Sequence, residues 1–376
     1  MRIDLDHNAT TRPLPEVIET VARVSAEAYA NPGSRHAAGR KARQILEQAR
    51  ETVADVLNAS PQEVVFTSGG TEATNLALLG FAAGRKGTIL LPPAEHPATE
   101  ETVKNLLSNG WKRHTLPLDA EGRILGTAYH EVPWSEIKLA TLLLAHNETG
   151  VLQDITPIAS RCAEHGIPLH VDAVQAVGKI DVDFHTLGAT TLALGAHKFH
   201  GPRGIGALLI HEGTLLPATQ FGGHQESGHR PGTECVALAA GMATALRLWH
   251  DDREQRTAHI RALRDRLQAG LTEQCAPIVI NGSQEDRLPN TLNIAFPGID
   301  GDALLVALDL EGICVSLGSA CASGSSEPAP VLMAMNVPRE IAIASVRLSV
   351  GFDNTLEELE TAINRITATV KRLRNK

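Results

Sequence analysis

Three residues of this 376-residue sequence stand in surroundings that favour chemistry over ordinary surface or core duty. Lys198 lies in ALGAHKFHGPRGIGAL (193 to 208), just past an apolar run and ahead of a glycine-rich turn. Most lysines are solvated surface charges. An amine at a buried strand end, bordered by His197 and small residues, is desolvated, so its pKa falls and it can form a Schiff base with a carbonyl. Asp172 sits in HVDAVQ (170 to 175), at the end of a hydrophobic run. A carboxylate there is costly unless paired. A protonated pyridinium nitrogen would pair it, and a helix N-cap is the alternative role. Cys321 occupies VSLGSACASGSSEP (315 to 328), whose small and polar residues promise the exposure and movement a reactive thiol needs. The other cysteines, Cys162, Cys235, Cys275 and Cys314, read as buried hydrophobes.

A fourth signal is TSGGTEATN (67 to 75), which follows the apolar string EVVFT and opens a helical pattern. Small residues let the backbone close around an anion, toward which the first N–H groups of the helix point. A plain turn with Thr71 as N-cap is the competing reading. Dinucleotide binding fits poorly, because Leu209 stands where a third glycine would follow Gly204-Ile205-Gly206, and no GxxxxGK[ST] occurs. Five cysteines without a CxxC pair argue against a disulfide framework and a structural zinc site, so no metal is expected.

These groups need a scaffold that gathers them. Apolar runs at 63 to 67, 88 to 92, 139 to 145, 167 to 172, 190 to 195 and 206 to 211 read as buried strands, with helical stretches such as 72 to 83, 97 to 109 and 155 to 165 between them. This alternation predicts an α/β fold with a mainly parallel sheet covered by helices on both faces, and active-site groups on loops at the carboxyl ends of its strands. From about residue 254 a long charged helix, strands near 277 to 280 and 291 to 296, a helix at 301 to 312 and a last helix from about 355 suggest a smaller α+β unit. The expected division is a large domain at 15–255 and a small one from 1–14 and 256–376 that carries the Cys321 loop. Loops at 217 to 234 and 316 to 329 are long enough to suggest function.

With 43% apolar residues the chain can bury a substantial core. Its net charge of -9 includes no basic run, which disfavours nucleic acid as a partner. The N-terminal MRIDLDHNATT lacks the apolar core of a signal peptide, and no run approaches the roughly 18 apolar residues of a membrane span, so a cytoplasmic protein without membrane association is expected.

Taken in order, the motifs resemble those of the cysteine desulfurases in the class V aminotransferase group, the branch that supplies sulfur for iron–sulfur clusters. The similarity runs through LDHNATT (5 to 11), NPGSRH (31 to 36), TSGGTE (67 to 72), EHPA (95 to 98) and HNETG (146 to 150). It continues through HVDAVQ, AHKFHGPRG (196 to 204), RPGTE (230 to 234), GSACASG (318 to 324) and VRLSVG (346 to 351).

The resemblance implies the fold of type I pyridoxal-phosphate (PLP) transferases, with PLP held on Lys198. Asp172 would face the pyridine nitrogen and His96 would lie over the ring and move protons. Asn147 and Gln175 would touch the phenolate oxygen. Gly70, Thr71 and His197 would hold the phosphate, joined by Thr233 of a second subunit in a homodimer. Arg347 would bind the substrate carboxylate, with Asn147 also at the substrate. Cys321 would receive sulfur from L-cysteine as a persulfide and pass it to an acceptor protein, an iron–sulfur scaffold among the candidates. The long separation of Cys321 from Arg347 resembles the longer-loop branch of the family.

Two departures from the family pattern, Gly195 in place of a serine and His146 in place of an asparagine, bear on cofactor affinity and substrate preference. Selenocysteine lyase, another class V enzyme, and a non-catalytic sulfur-transfer partner are the alternative readings.

Overall fold

A computed structural model describes residues 2–317 and 327–375. After a short strand, β1 (Ile3–Asp4), the chain forms one seven-stranded sheet. Its strands are β2 (Val64–Thr67), β3 (Thr88–Leu91), β4 (Lys112–Thr115), β5 (Ile137–Leu143), β6 (Leu169–Asp172), β7 (Thr191–Gly195) and β8 (Gly206–Ile210). They lie in the order β2-β8-β7-β6-β5-β3-β4, and every neighbouring pair is parallel except the two that β8 makes. This is the α/β fold with a mainly parallel sheet that the apolar runs predict.

Successive residues of a strand face opposite sides of a sheet. Accordingly Phe66, Leu90, Leu192 and Leu209 belong to one hydrophobic core, while Val65, Ile89, Ala193 and Leu208 belong to another. Helices Ala37–Val56 and Val236–Asp251 contribute to the first, and helices Gly70–Ala82 and Pro97–Ser108 to the second. Burial on both faces explains why these strands read as unbroken apolar runs. The exception is β4, whose Lys-Arg-His-Thr sequence is exposed or half-buried at the sheet edge and has no apolar pattern to reveal it.

Strand register levels the ends that matter. Leu143 pairs with Asp172, Asp172 with Ala193, and Gly206 with both Gly195 and Thr67. The carboxyl ends of β2, β5, β6 and β7 therefore meet along one edge. Gly206 is required there, because a Cβ would come within 2.7 Å of Gly69 Cα.

A separate core holds β9 (Val279–Asn281), β10 (Thr291–Ala295), β11 (Ile313–Cys314) and β12 (Ser345–Ser349) with helices Arg253–Gln274, Gly301–Leu310 and Leu356–Arg374. β9, β10 and β12 form an antiparallel sheet, and β1 pairs with β11 in parallel. Ile3 and Leu5 thus pack with Ile294, Phe296, Val346 and Leu359, so the N-terminus shares a core with the C-terminal third. The last helix starts from a reciprocal cap between Thr355 and Glu358 and ends with Lys371, Arg372 and Arg374 in its final turn, both favourable to its formation. No described helix is long and apolar enough to cross a membrane.

Candidate active site

Each strand ending at the common edge delivers one group. The turn after β2 leads into Gly69 and Gly70, the loop after β3 presents His96, and the segment after β5 presents Asn147. β6 ends on Asp172, and β7 runs into the short helical turn Ala196–Lys198. They line one cavity of about 220 Å³. Lys198, His96, Asp172 and Asn147 share it with Gly70, Thr71, Gln175, His197 and Arg347. Nine residues singled out in the sequence are thereby brought together.

Lys198 Nζ donates to the carbonyl oxygens of Asn8 at 2.7 Å and Ala9 at 2.9 Å. Burial and the nearby Arg347 guanidinium push its pKa down to about 8, against the pull of Asp172, Asp6 and Glu148. About a quarter of such amines are uncharged at pH 7.5, against about one in a thousand at the ordinary lysine value.

Asp172 is buried and accepts the Val174 N–H at 3.0 Å. Burial raises its pKa, while His96 and Lys198 act in the opposite sense. No helix follows it, so it caps a turn and is not a helix N-cap. His96 instead takes that role for helix Pro97–Ser108, its Nδ1 accepting the Ala98 N–H at 3.1 Å. Burial lowers its pKa, and the neutral ring therefore carries its proton on Nε2.

The anion-binding reading of TSGG gains geometry. Helix Gly70–Ala82 begins at Gly70, so Thr71 lies inside the first turn and is not its N-cap. A Cβ on Gly70 would stand 2.4 Å from Val174 Cγ2, and Gly69 adopts φ +154°, a conformation that favours glycine. Gly70 and Thr71, which open this helix, border the cavity, and the N–H groups of a helix's first turn have no partner within the helix. His197 Nδ1 lies 3.2 Å from Thr10 Oγ1, and burial with Lys198 close by pushes its pKa down to about 4.

Arg347, on β12, reaches in from the other core. Its guanidinium donates to Asp6 at 2.9 Å, to Glu148 at 3.3 Å and to the Asn147 carbonyl at 3.1 Å. Burial pushes Glu148 up to about 7 even so. Asn147 donates to Glu148 Oε1 at 2.8 Å. Gln175 donates to the Asn8 carbonyl at 2.9 Å and accepts from Lys179 Nζ at 2.6 Å.

This donor set fits pyridoxal phosphate. A buried carboxylate with no cation in hydrogen-bonding reach among the described residues suits a pyridinium, a neutral-leaning amine suits an aldehyde carbon, and a glycine-lined helix N-terminus suits a phosphate.

Other expected residues fall elsewhere. Thr233 is exposed and does not border this cavity, Cys321 lies outside the described residues, and Cys162 and Cys275 are buried as expected. Cys235 is exposed and Cys314 only half-buried, which corrects their reading as core residues. Cys235 stands at the mouth of helix Val236–Asp251, where the chain has not yet entered the core, and Cys314 sits on the two-stranded β1-β11 edge. His146 donates from Nε2 to the Ala94 carbonyl at 2.9 Å and accepts the Glu148 N–H at Nδ1. Both ring nitrogens are thus used in the scaffold, and His146 does not line the cavity that holds Lys198.

Sequence reasoning missed Asn8, which binds Lys198 and Gln175 through its carbonyl and Lys179 and Asn290 through its side-chain oxygen. It also missed buried Lys179, and Glu95, whose carboxyl is buried and pushed well up in pKa. The signals for Asn8 and Glu95 were the strings LDHNATT and EHPA, in which no single residue announces a role. A neighbouring cavity of about 660 Å³ shares His96 and Asn147 with this one and extends past Glu148 to Pro330 and Val331.

The aminotransferase class-V family model matches residues 3–361. Cysteine desulfurase NifS of Azotobacter vinelandii is 37% identical over 374 residues, covering 99% of this chain and 93% of that protein. Among solved structures, a NifS-like protein superposes with a TM-score of 0.93 at 35% identity, over 99% of this chain and 100% of that one. SspA in complex with cysteine does so with a TM-score of 0.83 at 30% identity, over 94% and 100%. Matched in this way along nearly its whole length, the chain belongs to the class-V aminotransferase family and, within it, to the NifS-like cysteine desulfurases.

Proposed function

We propose that this chain is a PLP-dependent enzyme that converts L-cysteine to L-alanine and receives the sulfur on Cys321 as a persulfide. The observation that carries the reading is the single cavity in which Lys198, Asp172, His96 and Arg347 meet. The similar protein solved with cysteine supports L-cysteine as the substrate, and the set of reactive groups argues against a non-catalytic carrier.

When bound, the cofactor supplies an electron-withdrawing ring that labilises bonds at the substrate's α-carbon. The chain's residues do the rest. Lys198, partly uncharged near neutral pH, holds the cofactor and exchanges a proton at Nζ once released. Asp172 would keep a positive charge on the ring nitrogen, a pairing that would offset the cost of its own burial. His96 offers Nε2–H to the reacting atoms. Asn147 and Gln175, whose amides donate to Glu148 and the Asn8 carbonyl, would offer their remaining N–H to the ring oxygen. Arg347 exchanges Asp6 and Glu148 for the substrate carboxylate, a bidentate match for its guanidinium. Cys321, as thiolate, attacks the substrate sulfur; the bond from that sulfur to the substrate's β-carbon breaks with its electron pair staying on the carbon, which takes a proton, and alanine is released while the sulfur remains on Cys321 as the persulfide.

The cavity extending to Pro330 and Val331, just after the Cys321 segment, supports access from that loop. The division into domains 15–255 and 1–14 with 256–376 belongs to the same reading and is supported by the shared core of Ile3, Leu5 and the C-terminal third. So does a homodimer in which Thr233 completes the partner's phosphate site. Phe221, 89% exposed in the same 217 to 234 segment, supports burial of that surface by a second copy. A cytoplasmic location and a sulfur-acceptor protein, such as an iron–sulfur scaffold, complete the proposal.

Alanine formation from cysteine, measured with and without a reductant that discharges the persulfide, tests it. Turnover should be sustained only with the reductant. Absence of alanine under both conditions from PLP-loaded protein would refute the reading.

A further inference from the structure

Behind the cavity, three side chains converge that have no part in the chemistry above. His7 of the N-terminal segment, His200 of the lysine loop and Asp353 ahead of the last helix offer ligand atoms that all lie within 4.8 Å of one another. The two imidazole centroids are 6.1 Å apart, and His7 Nε2 is 3.9 Å from Asp353 Oδ1. His7 is only 4% exposed, yet neither of its ring nitrogens has a hydrogen-bond partner among the described residues. A buried polar group left in that condition is costly, and native structures nearly always satisfy it with protein, water or an ion. Gly351 makes room for the ring, since a Cβ there would stand 2.2 Å from His7 Cε1.

His200 is already oriented. Its Nδ1 lies 2.9 Å from the Arg12 carbonyl oxygen, which can only accept, so Nδ1 carries the proton and Nε2 keeps its lone pair. Metal-binding histidines are commonly fixed in this way by a backbone carbonyl on the other nitrogen.

We infer that His7, His200 and Asp353 form a binding site for a divalent transition-metal cation of the zinc type. Two imidazoles and one carboxylate suit Zn²⁺ or Ni²⁺ and not the all-oxygen preference of Ca²⁺ or Mg²⁺. Bonds of roughly 2.0–2.1 Å require the three ligand atoms to close in, and Asp353, whose side chain is 46% exposed, has the freedom to do so. A cavity of about 30 Å³ bordered by His7 and His200 leaves room for a water ligand. Arg256, Lys179 and Lys198 border the same cavity, which makes the Asp353 carboxylate the group that gives the site its affinity for a cation. Arg256 is stacked over Phe352 at 4.7 Å and paired with Asp252 at 3.5 Å. A bound ion would pin three segments distant in sequence, one of them two residues past Lys198.

The test titrates zinc chloride into the full chain with its cofactor, after chelator treatment and alkylation of the thiols. Bound metal is read by equilibrium dialysis, and thermal unfolding is followed in parallel. Wild type should take one equivalent per chain and gain a Tm that rises with free zinc. Asp353→Asn, at an exposed position, and His200→Asn, whose amide can still donate to Arg12 while lacking a ring nitrogen, should each bind at least about tenfold more weakly and lose the Tm gain. Should His200→Asn lower the Tm without zinc, Asp353→Asn decides alone. Uptake by Asp353→Asn equal to wild type, or no saturable uptake by wild type, overturns the inference.

Discussion

Lys198 Nζ donates a 2.7 Å hydrogen bond to the carbonyl oxygen of Asn8, a residue 190 positions earlier in the chain. The bond ties the end of β7 to the N-terminal segment and aims the amine into the cavity that also holds Asp172 and Arg347. It satisfies one ammonium proton without a carboxylate partner, which leaves burial free to depress the lysine's pKa.

Lys198→Ala should therefore abolish turnover and the yellow absorbance of the lysine-linked cofactor, because the other lysine bordering this region, Lys179, is held by Asn8 and Gln175. Absorbance spectra and alanine release check this together. A mutant that released alanine at the wild-type rate would remove Lys198 from its assigned role.

Gly195→Ser should restore a phosphate contact. Gly195 has extended backbone angles, φ -137° and ψ 121°, so serine adds no strain. Its Cβ would meet the Gly70 nitrogen at 3.5 Å and His197 Cδ2 at 3.7 Å, ordinary contacts at the start of the helix proposed to hold the phosphate. A hydrogen bond to a charged group contributes about 1.5 kcal/mol or more, so the cofactor's Kd should fall about tenfold. Fluorescence titration of the cofactor-free protein would show it. An unchanged or weaker Kd would mean that the hydroxyl does not reach the phosphate.

Acid should destabilise the fold through its buried histidines. His170 is fully buried between Thr191 and Thr74, and burial pushes its pKa down to about 3, below the ordinary 6.5 that it regains on unfolding. Between those values the unfolded chain binds more protons, so stability falls as pH drops from 6.5 toward 3. At pH 5 the loss from this residue is about 2 kcal/mol. His170→Gln should flatten the decline in urea midpoint between pH 7 and pH 5. An undiminished slope in that variant would assign the acid sensitivity to other groups, such as His146.

Much of this arrangement was legible in the sequence because burial leaves a mark. Six strands of the large sheet are unbroken apolar runs, and Asp172 and Lys198 stood out as ionisable groups at the ends of two of them. β4 escaped because an exposed edge strand carries no such pattern. Asn8 and Lys179 escaped for a different reason: their importance lies in contacts 167 to 190 positions away, which no local spacing encodes. The misreading of Cys235 followed from treating small, apolar-leaning residues as core by default, where the chain in fact turns outward before a helix.

The most direct test of the account is where the sulfur goes. Wild-type protein loaded with PLP is exposed briefly to L-cysteine without reductant, digested and examined by mass spectrometry, alongside Cys321→Ser. One added sulfur on the peptide containing Cys321 is predicted, with about one alanine released per sulfur bound. Cys321→Ser should retain the cofactor's absorbance and its change on adding cysteine, yet carry no persulfide, since a hydroxyl neither ionises at this pH nor accepts sulfur. Sulfur on exposed Cys235 or another cysteine, or full desulfurase turnover by Cys321→Ser, would contradict the account.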